Sequence, residues 1–223
     1  MGRLRGETMT YYAPSACNIP LMPQFKIVEV RACDPGVWLA TWAAKYDSSA
    51  GFDEDEYTQL IDLARQNCLP ARYFERVGRW KDSANTNGRW KPNVASVAYI
   101  IWLQAEAEQP HCPANEQAVR FLDNWSSRTY EDVFSAKRVN KRFGLSRATT
   151  LLHFLSGGRF PIYDSNVIEA TRRLYGVSPS YTANYYWNTF YPQFQELAAE
   201  CKTNDLRRLD KALFSYGVTK LLV

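Results

Sequence analysis

A chain of 223 residues, 46% hydrophobic and with a formal net charge of +4, is long enough to bury a core without staples and too weakly basic for its charge alone to argue a polyanionic partner. Its longest unbroken apolar run, VAYIIWL at 97–103, falls far short of the ~20 residues that cross a bilayer, so no membrane partner is expected. The five cysteines, at 17, 33, 68, 112 and 201, are widely spaced without a C-x-x-C pair, and only His111 and His153 stand beside them, which argues against a metal centre and for reduced thiols.

In chain order, residues 1–24 read as a loose arm; they lack the apolar core of a secretory signal, and the expected location is the cytoplasm. FKIVEV, 25–30, predicts a short strand or an extended lead-in. DEDEYTQLIDLARQNC, 53–68, places acids in a first turn ahead of helically spaced apolar side chains, a helix beginning near Asp53. KDSANTNGRWK, 81–91, has little to bury and predicts a loop. Pro92 opens a helix to about Gln109, and NEQAVRFLDNW and YEDVFSAKRVNKRF predict two more. The second turns basic at its end, as the helix dipole prefers, and Gly144 stands where a cap belongs.

Ser146 opens the next helix, ATTLLHFL, which stops at Gly157–Gly158. Pro161 keeps RFPIY out of a helix, and Asp164 leads a further one with apolar positions Val167, Ile168, Leu174 and Tyr175. Beyond Tyr181 lie two more helical patterns, one crowded with Tyr185, Tyr186, Trp187, Phe190 and Tyr191 and one capped by Asn204 or Asp205. No repeat and no convincing sheet emerge, so the class is all-α. The organisation expected is an arm at 1–24, a helical region at 25–125, a hairpin region at 126–178, and C-terminal helices at 179–223 that pack back on the N-terminal region. The chain is expected to be a monomer.

Two features point to chemistry. Lys137, Arg138, Lys141, Arg142 and Arg147 surround the turn at Gly144–Ser146 with no acid among them. Backbone amides at the start of the second helix, with such cations, suit a phosphate oxygen; the plain alternative is a solvated face. Asp164 is read first as a helix N-cap. The same carboxylate, open to a groove, would stabilise positive charge on a sugar whose bond to a base is breaking. RWKDSANTNGRWK adds Trp80, Lys81, Arg89, Trp90 and Lys91, a basic and aromatic mixture for a DNA-facing or base-selecting loop, or for a surface loop anchored by two tryptophans. Aromatics 181–191 are read as core, and His153 as a packed, hydrogen-bonded side chain.

FGLSRATTLLHFLSGGRFPIYDSNV resembles the helix-hairpin-helix DNA glycosylase superfamily, and FPIYDSNV resembles its adenine-mismatch branch around the catalytic acid. The resemblance covers residues 130–176, about a fifth of the chain. It implies two helical lobes with a cleft for double-stranded DNA and a catalytic role for Asp164, with Asn166 and Val167 matching nearby. It also implies backbone contacts from Gly144, Leu145, Ser146 and Arg147 together with Lys141 and Arg142. The implied reaction is monofunctional hydrolysis of the glycosidic bond of a flipped-out base, without metal or cofactor.

Three departures stand out. Ser146 replaces the second glycine of the hairpin, Ala148 falls where bifunctional members carry a Schiff-base lysine, and the cysteine quartet of the iron–sulfur members is absent. The adenine branch's glutamate has no placed counterpart; Glu106 and Glu108 are candidates by region. A catalytically silent DNA-binding relative, and a helical interaction domain without nucleic acid, are the alternatives.

Overall fold

The computed structural model describes residues 34–49, 52–66, 69–70, 72–81, 122–123, 126 and 144–219. Among the described residues all regular structure is helical. The arm at 1–24, FKIVEV, the helices expected at 92–109 and 130–143, and Lys141, Arg142, Glu106, Glu108, Arg89 and Trp90 lie outside them, as does most of 115–125.

The first helix, α1 (Pro35–Ser49), is one that periodicity did not predict. Its start is local chemistry: Asp34 Oδ1 accepts from the Val37 amide at 3.0 Å, and Pro35 supplies a preset first φ. In α2 (Glu54–Arg65) the Asp53 carboxylate accepts from the Glu56 amide, with acids at 54, 55 and 56 in the first turn, as the sequence leads one to expect.

The third helix, α3 (Tyr73–Lys81), corrects the loop reading at its beginning. Trp80 and Lys81 close a short helix because Tyr73, Phe74, Val77 and Trp80 give it one buried stripe. α4 (Leu145–Leu155) begins one residue before Ser146 and ends in a turn in which Gly157 and Gly158 have φ of +65° and +86°, a region open mainly to glycine.

Next comes α5 (Ser165–Tyr175), capped by Asp164 and closed by Gly176 in the left-handed region. Ala183–Tyr185, a π-helical segment Tyr186–Phe190 and Tyr191–Glu200 follow one another with helical backbone; together they are α6. The widened register, in which the Tyr191 amide donates to the Tyr186 carbonyl five residues back, precedes Pro192, whose missing N–H and ring would strain a regular turn. α7 (Leu206–Val218) starts at the Asp205 cap.

α7 lies against both α1 and α5. On one side Trp38 and Trp42 meet Tyr216 edge-on at 5.7 and 5.2 Å, and Tyr46 meets Phe214 at 5.4 Å, the offset geometry aromatic pairs prefer. On the other side Arg173 donates to Tyr216 O in the last turn of α7 at 2.6 Å and to Thr219 O at its C-cap at 2.8 Å. α2, α3 and α4 form a neighbouring layer in which Tyr57, Trp80 and Phe154 share ring contacts, and Tyr73 donates to the Leu60 carbonyl at 3.0 Å. The joint between the layers is where α5 begins.

The α5–α7 crossing depends on Gly217, where a Cβ would overlap the Asn166 carbonyl oxygen. Alanine normally favours an interior helix position by up to about 1 kcal/mol over glycine. Gly217→Ala is nevertheless expected to destabilise by about 1–3 kcal/mol, the usual cost of overpacking, measured as a lowered urea midpoint. A raised midpoint would contradict the crossing.

Candidate functional site

The segment Phe160–Tyr163 is buried and cannot satisfy its backbone by helix or sheet, since Pro161 lacks an amide. Buried side chains satisfy it residue by residue. His153 Nδ1 bonds the Phe160 carbonyl at 2.7 Å, and the Tyr186 hydroxyl donates to the Pro161 carbonyl at 2.9 Å. The Ile162 amide donates to Asp210 Oδ1 at 3.3 Å, and the Tyr163 amide to Thr149 Oγ1 at 3.0 Å. Four clamps from α4, α6 and α7 thus fix the backbone that delivers Asp164, satisfying groups that would otherwise cost free energy when buried.

Asp164 is 8% exposed. Its Oδ1 accepts from the Asn166 amide at 3.0 Å and the Val167 amide at 3.1 Å, the N-cap the sequence predicts. Its Oδ2 is met by Lys81 Nζ at 2.9 Å. That lysine is the last residue of α3, more than eighty positions away in sequence, and its side chain is 12% exposed.

A second carboxylate lies in the same region. Asp210 Oδ2 accepts from Arg207 at 2.8 Å, and the guanidinium also donates to Glu54 at 2.7 Å and to the Tyr46 hydroxyl at 2.9 Å. Arg207 lies over the Tyr57 ring at 4.2 Å and the Trp80 ring at 5.4 Å. Burial opposes its charge, but Asp210 foremost among its neighbours raises its pKa above the ordinary value. Asp210 itself is pushed up to about 6, by burial first and against the pull of Arg207, with the charge of Asp164 adding to the rise.

Lys81, Asp164, Arg207 and Asp210 share the wall of a crevice closed by Tyr46, Phe52, Trp80, Ile162, Val167 and Phe214. Its volume of about 10 Å³ accepts on the order of one water. Anything larger reaches Asp164 Oδ2 only by displacing the Lys81 side chain, a charged head on a flexible stem. A larger groove of about 280 Å³, between α1 and the start of α7, is lined by Ala40, Ala43, Ala44, Asp47, Asp205, Arg207, Arg208 and Lys211. It contains neither Asp164 nor Lys81.

The sequence-predicted residues are only partly brought together. Lys81, Asp164 and Asn166 meet at the start of α5. Trp80 lies in α3 rather than on a loop: it is 5% exposed, its indole N–H donates to the Asp53 carbonyl at 3.1 Å, and it lines the crevice beside Lys81 and Asp164. Gly144 has φ +81° and no side chain caps α4, yet its amide donates to the Ser126 carbonyl at 3.2 Å. That amide is therefore already engaged, and a phosphate would have to be met by the amides after it. The Leu145 side chain is buried, so only its backbone remains for such a contact, and Ser146 turns its carbonyl to Thr149 and Thr150. Arg147 is partly exposed beside them.

Asp210 and Arg207 were not foreseen, because Arg and Asp three apart on an amphipathic helix look like a solvated pair. The chain matches no family model, no curated protein and no solved structure. Among the described residues no His, Cys, Asp and Glu cluster forms a metal-binding group, and no helix is long and apolar enough to cross a membrane.

His153 bonds the Phe160 carbonyl through Nδ1 and so carries its proton there; Nε2 then accepts from the Tyr57 hydroxyl at 2.8 Å. Burial first, and the charge of Arg207 next, lower its pKa to about 3. A neutral His153 therefore contributes stability that is full above the unfolded pKa of about 6.5 and is lost as pH falls toward 3. Asp210 acts oppositely: its raised pKa gives a contribution full below about 3.8 and lost as pH rises through about 6.

Between pH 4 and 6 the two nearly cancel, because the proton taken by the unfolded histidine is matched by one on the folded aspartate. In Asp210→Asn the offset disappears, and stability is expected to fall on acidification from pH 6.5 with a slope approaching about 1.4 kcal/mol per unit. Urea titrations at stepped pH measure it; equal acid sensitivity in variant and parent would count against this assignment.

Proposed function

We propose that this protein is a helix-hairpin-helix DNA glycosylase-like enzyme that hydrolyses the N-glycosidic bond of a base flipped out of double-stranded DNA, with Asp164 as the catalytic carboxylate. One observation carries the reading. The carboxylate that FPIYDSNV singles out stands at the end of a backbone segment clamped by His153, Tyr186, Asp210 and Thr149, with a lysine from another helix on its outer oxygen. Locking the backbone of an acid this thoroughly is the preorganisation a catalytic group requires, beyond what capping an 11-residue helix needs.

In this mechanism the leaving base departs toward an oxocarbenium-like state, and Asp164 stabilises the cation or orients water. A carboxylate ~4 Å from a unit charge at an effective dielectric near 20 contributes on the order of 4 kcal/mol, roughly a thousandfold in rate. Lys81 nearly neutralises the pair while it holds Oδ2, so its withdrawal accompanies entry of the sugar. The α4 start and Arg147 supply backbone-positioning contacts that read no sequence.

A second reading has its own observation. Both Asp164 oxygens are already partnered and the residue is 8% exposed, as in a silent DNA-binding relative where the acid only caps α5. A helical interaction domain without nucleic acid is the third.

Salt separates the third from the others, because release of counterions makes duplex affinity fall steeply with ionic strength. Asp164→Asn keeps one oxygen for the cap amides, so duplex binding is expected to stay within a few-fold while base release drops by at least the thousandfold estimated above. Mobility shifts and alkali-revealed abasic sites measure the two; parallel loss of both, or of neither, refutes the catalytic role.

A further inference from the structure

We infer that the groove between α1 and the start of α7 binds a sugar-phosphate unit, with Arg208 taking the phosphate and the alanine face of α1 carrying the sugar. The groove contains neither Asp164 nor Lys81, so the inference goes beyond the base-excision reading and does not rest on it. Its volume is about 280 Å³, where one water needs only about 10–15 Å³ of such space. That leaves room for a small organic ligand.

The two walls differ in chemistry. Ala40, Ala43 and Ala44 fall three and four positions apart on α1, which puts them on one face, and they bring neither polar groups nor bulk. Opposite them stand Arg207, Arg208 and Lys211 from the first turns of α7. The acids of the groove are already committed. Asp205 Oδ1 accepts from the Arg208 amide at 2.9 Å and so caps α7, while Asp47 holds Lys211 at 2.7 Å, with Glu54 on the same ammonium at 2.9 Å. Lys211 is thereby neutralised, as Arg207 is by Asp210 and Glu54. Arg208 differs from both: it is exposed, and among the described residues its guanidinium has neither a hydrogen bond nor an ion pair.

A second observation points to the same ligand group. Arg207 is almost wholly buried, yet its Nε finds no acceptor among the described residues, although buried N–H groups are paired in the large majority of cases. Two spaces border this side chain. The crevice, at about 10 Å³, accepts on the order of one water, whereas the groove admits the oxygens of a ligand. A phosphate seated against Arg208 offers Arg207 that acceptor on a small rotation of its side chain. Adjacent guanidiniums suit a phosphate because each presents a planar fork of donors to its oxygens. The sugar then lies along the three alanines, where its carbon face needs no polar partner.

The test titrates the full chain calorimetrically, at low ionic strength, with 2-deoxyribose 5-phosphate, which carries sugar and phosphate without a base. The expected result is one saturable site per chain. Binding weakens at least tenfold in Arg208→Gln and in Ala44→Glu, which sets a negative charge on an exposed position of the alanine wall. It stays within twofold in Arg79→Gln, which removes an exposed cation of α3. An undamaged duplex then identifies the source of the unit: displacement of the bound sugar phosphate assigns the groove to the DNA backbone, no displacement assigns it to a free sugar phosphate, and either supports the site. No saturable binding, equal binding by parent and Arg208→Gln, or acetate bound as tightly as the sugar phosphate overturns the inference. Base release plays no part in this readout, so failure of either claim leaves the other standing.

Discussion

Four unrelated side chains hold four consecutive residues of a strand-less, helix-less segment, and the site depends on that constraint. Phe160–Tyr163 is buried, interrupted by proline, and would be costly with its carbonyls and amides unpaired. Its partners come from three helices: His153 and Thr149 from α4, Tyr186 from α6, Asp210 from α7. Each partner is in turn fixed, Thr149 by donating to the Ser146 carbonyl. His153 is pinned by Tyr57, Asp210 by Arg207, and Tyr186 lies among Tyr163, Trp187 and Phe190. Moving any of these helices moves the carboxylate at position 164.

Arg207 carries this arrangement across the protein. It joins α2 through Glu54 and α1 through Tyr46 to the aspartate that binds Ile162. Removing one partner of so enclosed a pair leaves a charge without compensation, typically at about 3–5 kcal/mol, whereas an exposed, solvent-screened pair such as Glu169–Arg172 contributes little. The same guanidinium and the neighbouring aromatic wall fix Trp80, hence the end of α3, hence the origin of Lys81. The pairing of Lys81 with Asp164 is therefore a consequence of how the two helical layers meet.

Local chemistry was the legible part of this sequence. Asp53 and Asp164 announce helix starts, and Asn204 or Asp205 a third, because a short polar side chain ahead of an apolar-periodic run has a specific job; Gly157 and Gly158 mark a turn because their conformations suit few other residues. The all-α character followed from those signals. α1 was missed although Asp34–Pro35 carries the same signature, since its apolar positions are spread around the helix rather than gathered in a stripe. α3 was missed altogether, and its last residues were read into the loop that follows, because its buried stripe is short and stops just before a polar run. The partners of Asp164 were invisible for a different reason. Lys81 and Asp210 reach the crevice only through tertiary packing, and in sequence they are an ordinary basic residue at a helix end and an ordinary acid in a charged helix.

The account's central claim, that an acid held this rigidly is held there for chemistry on DNA, meets its most direct test in base release. Duplexes each carrying one mispaired or damaged base are incubated with the protein and scored for alkali-labile sites and free base. The account predicts that at least one substrate loses its base with the parent chain and keeps it with Asp164→Asn. Intact glycosidic bonds across the whole set, by a folded protein that binds those duplexes, would contradict it and leave Asp164 as the cap of a helix.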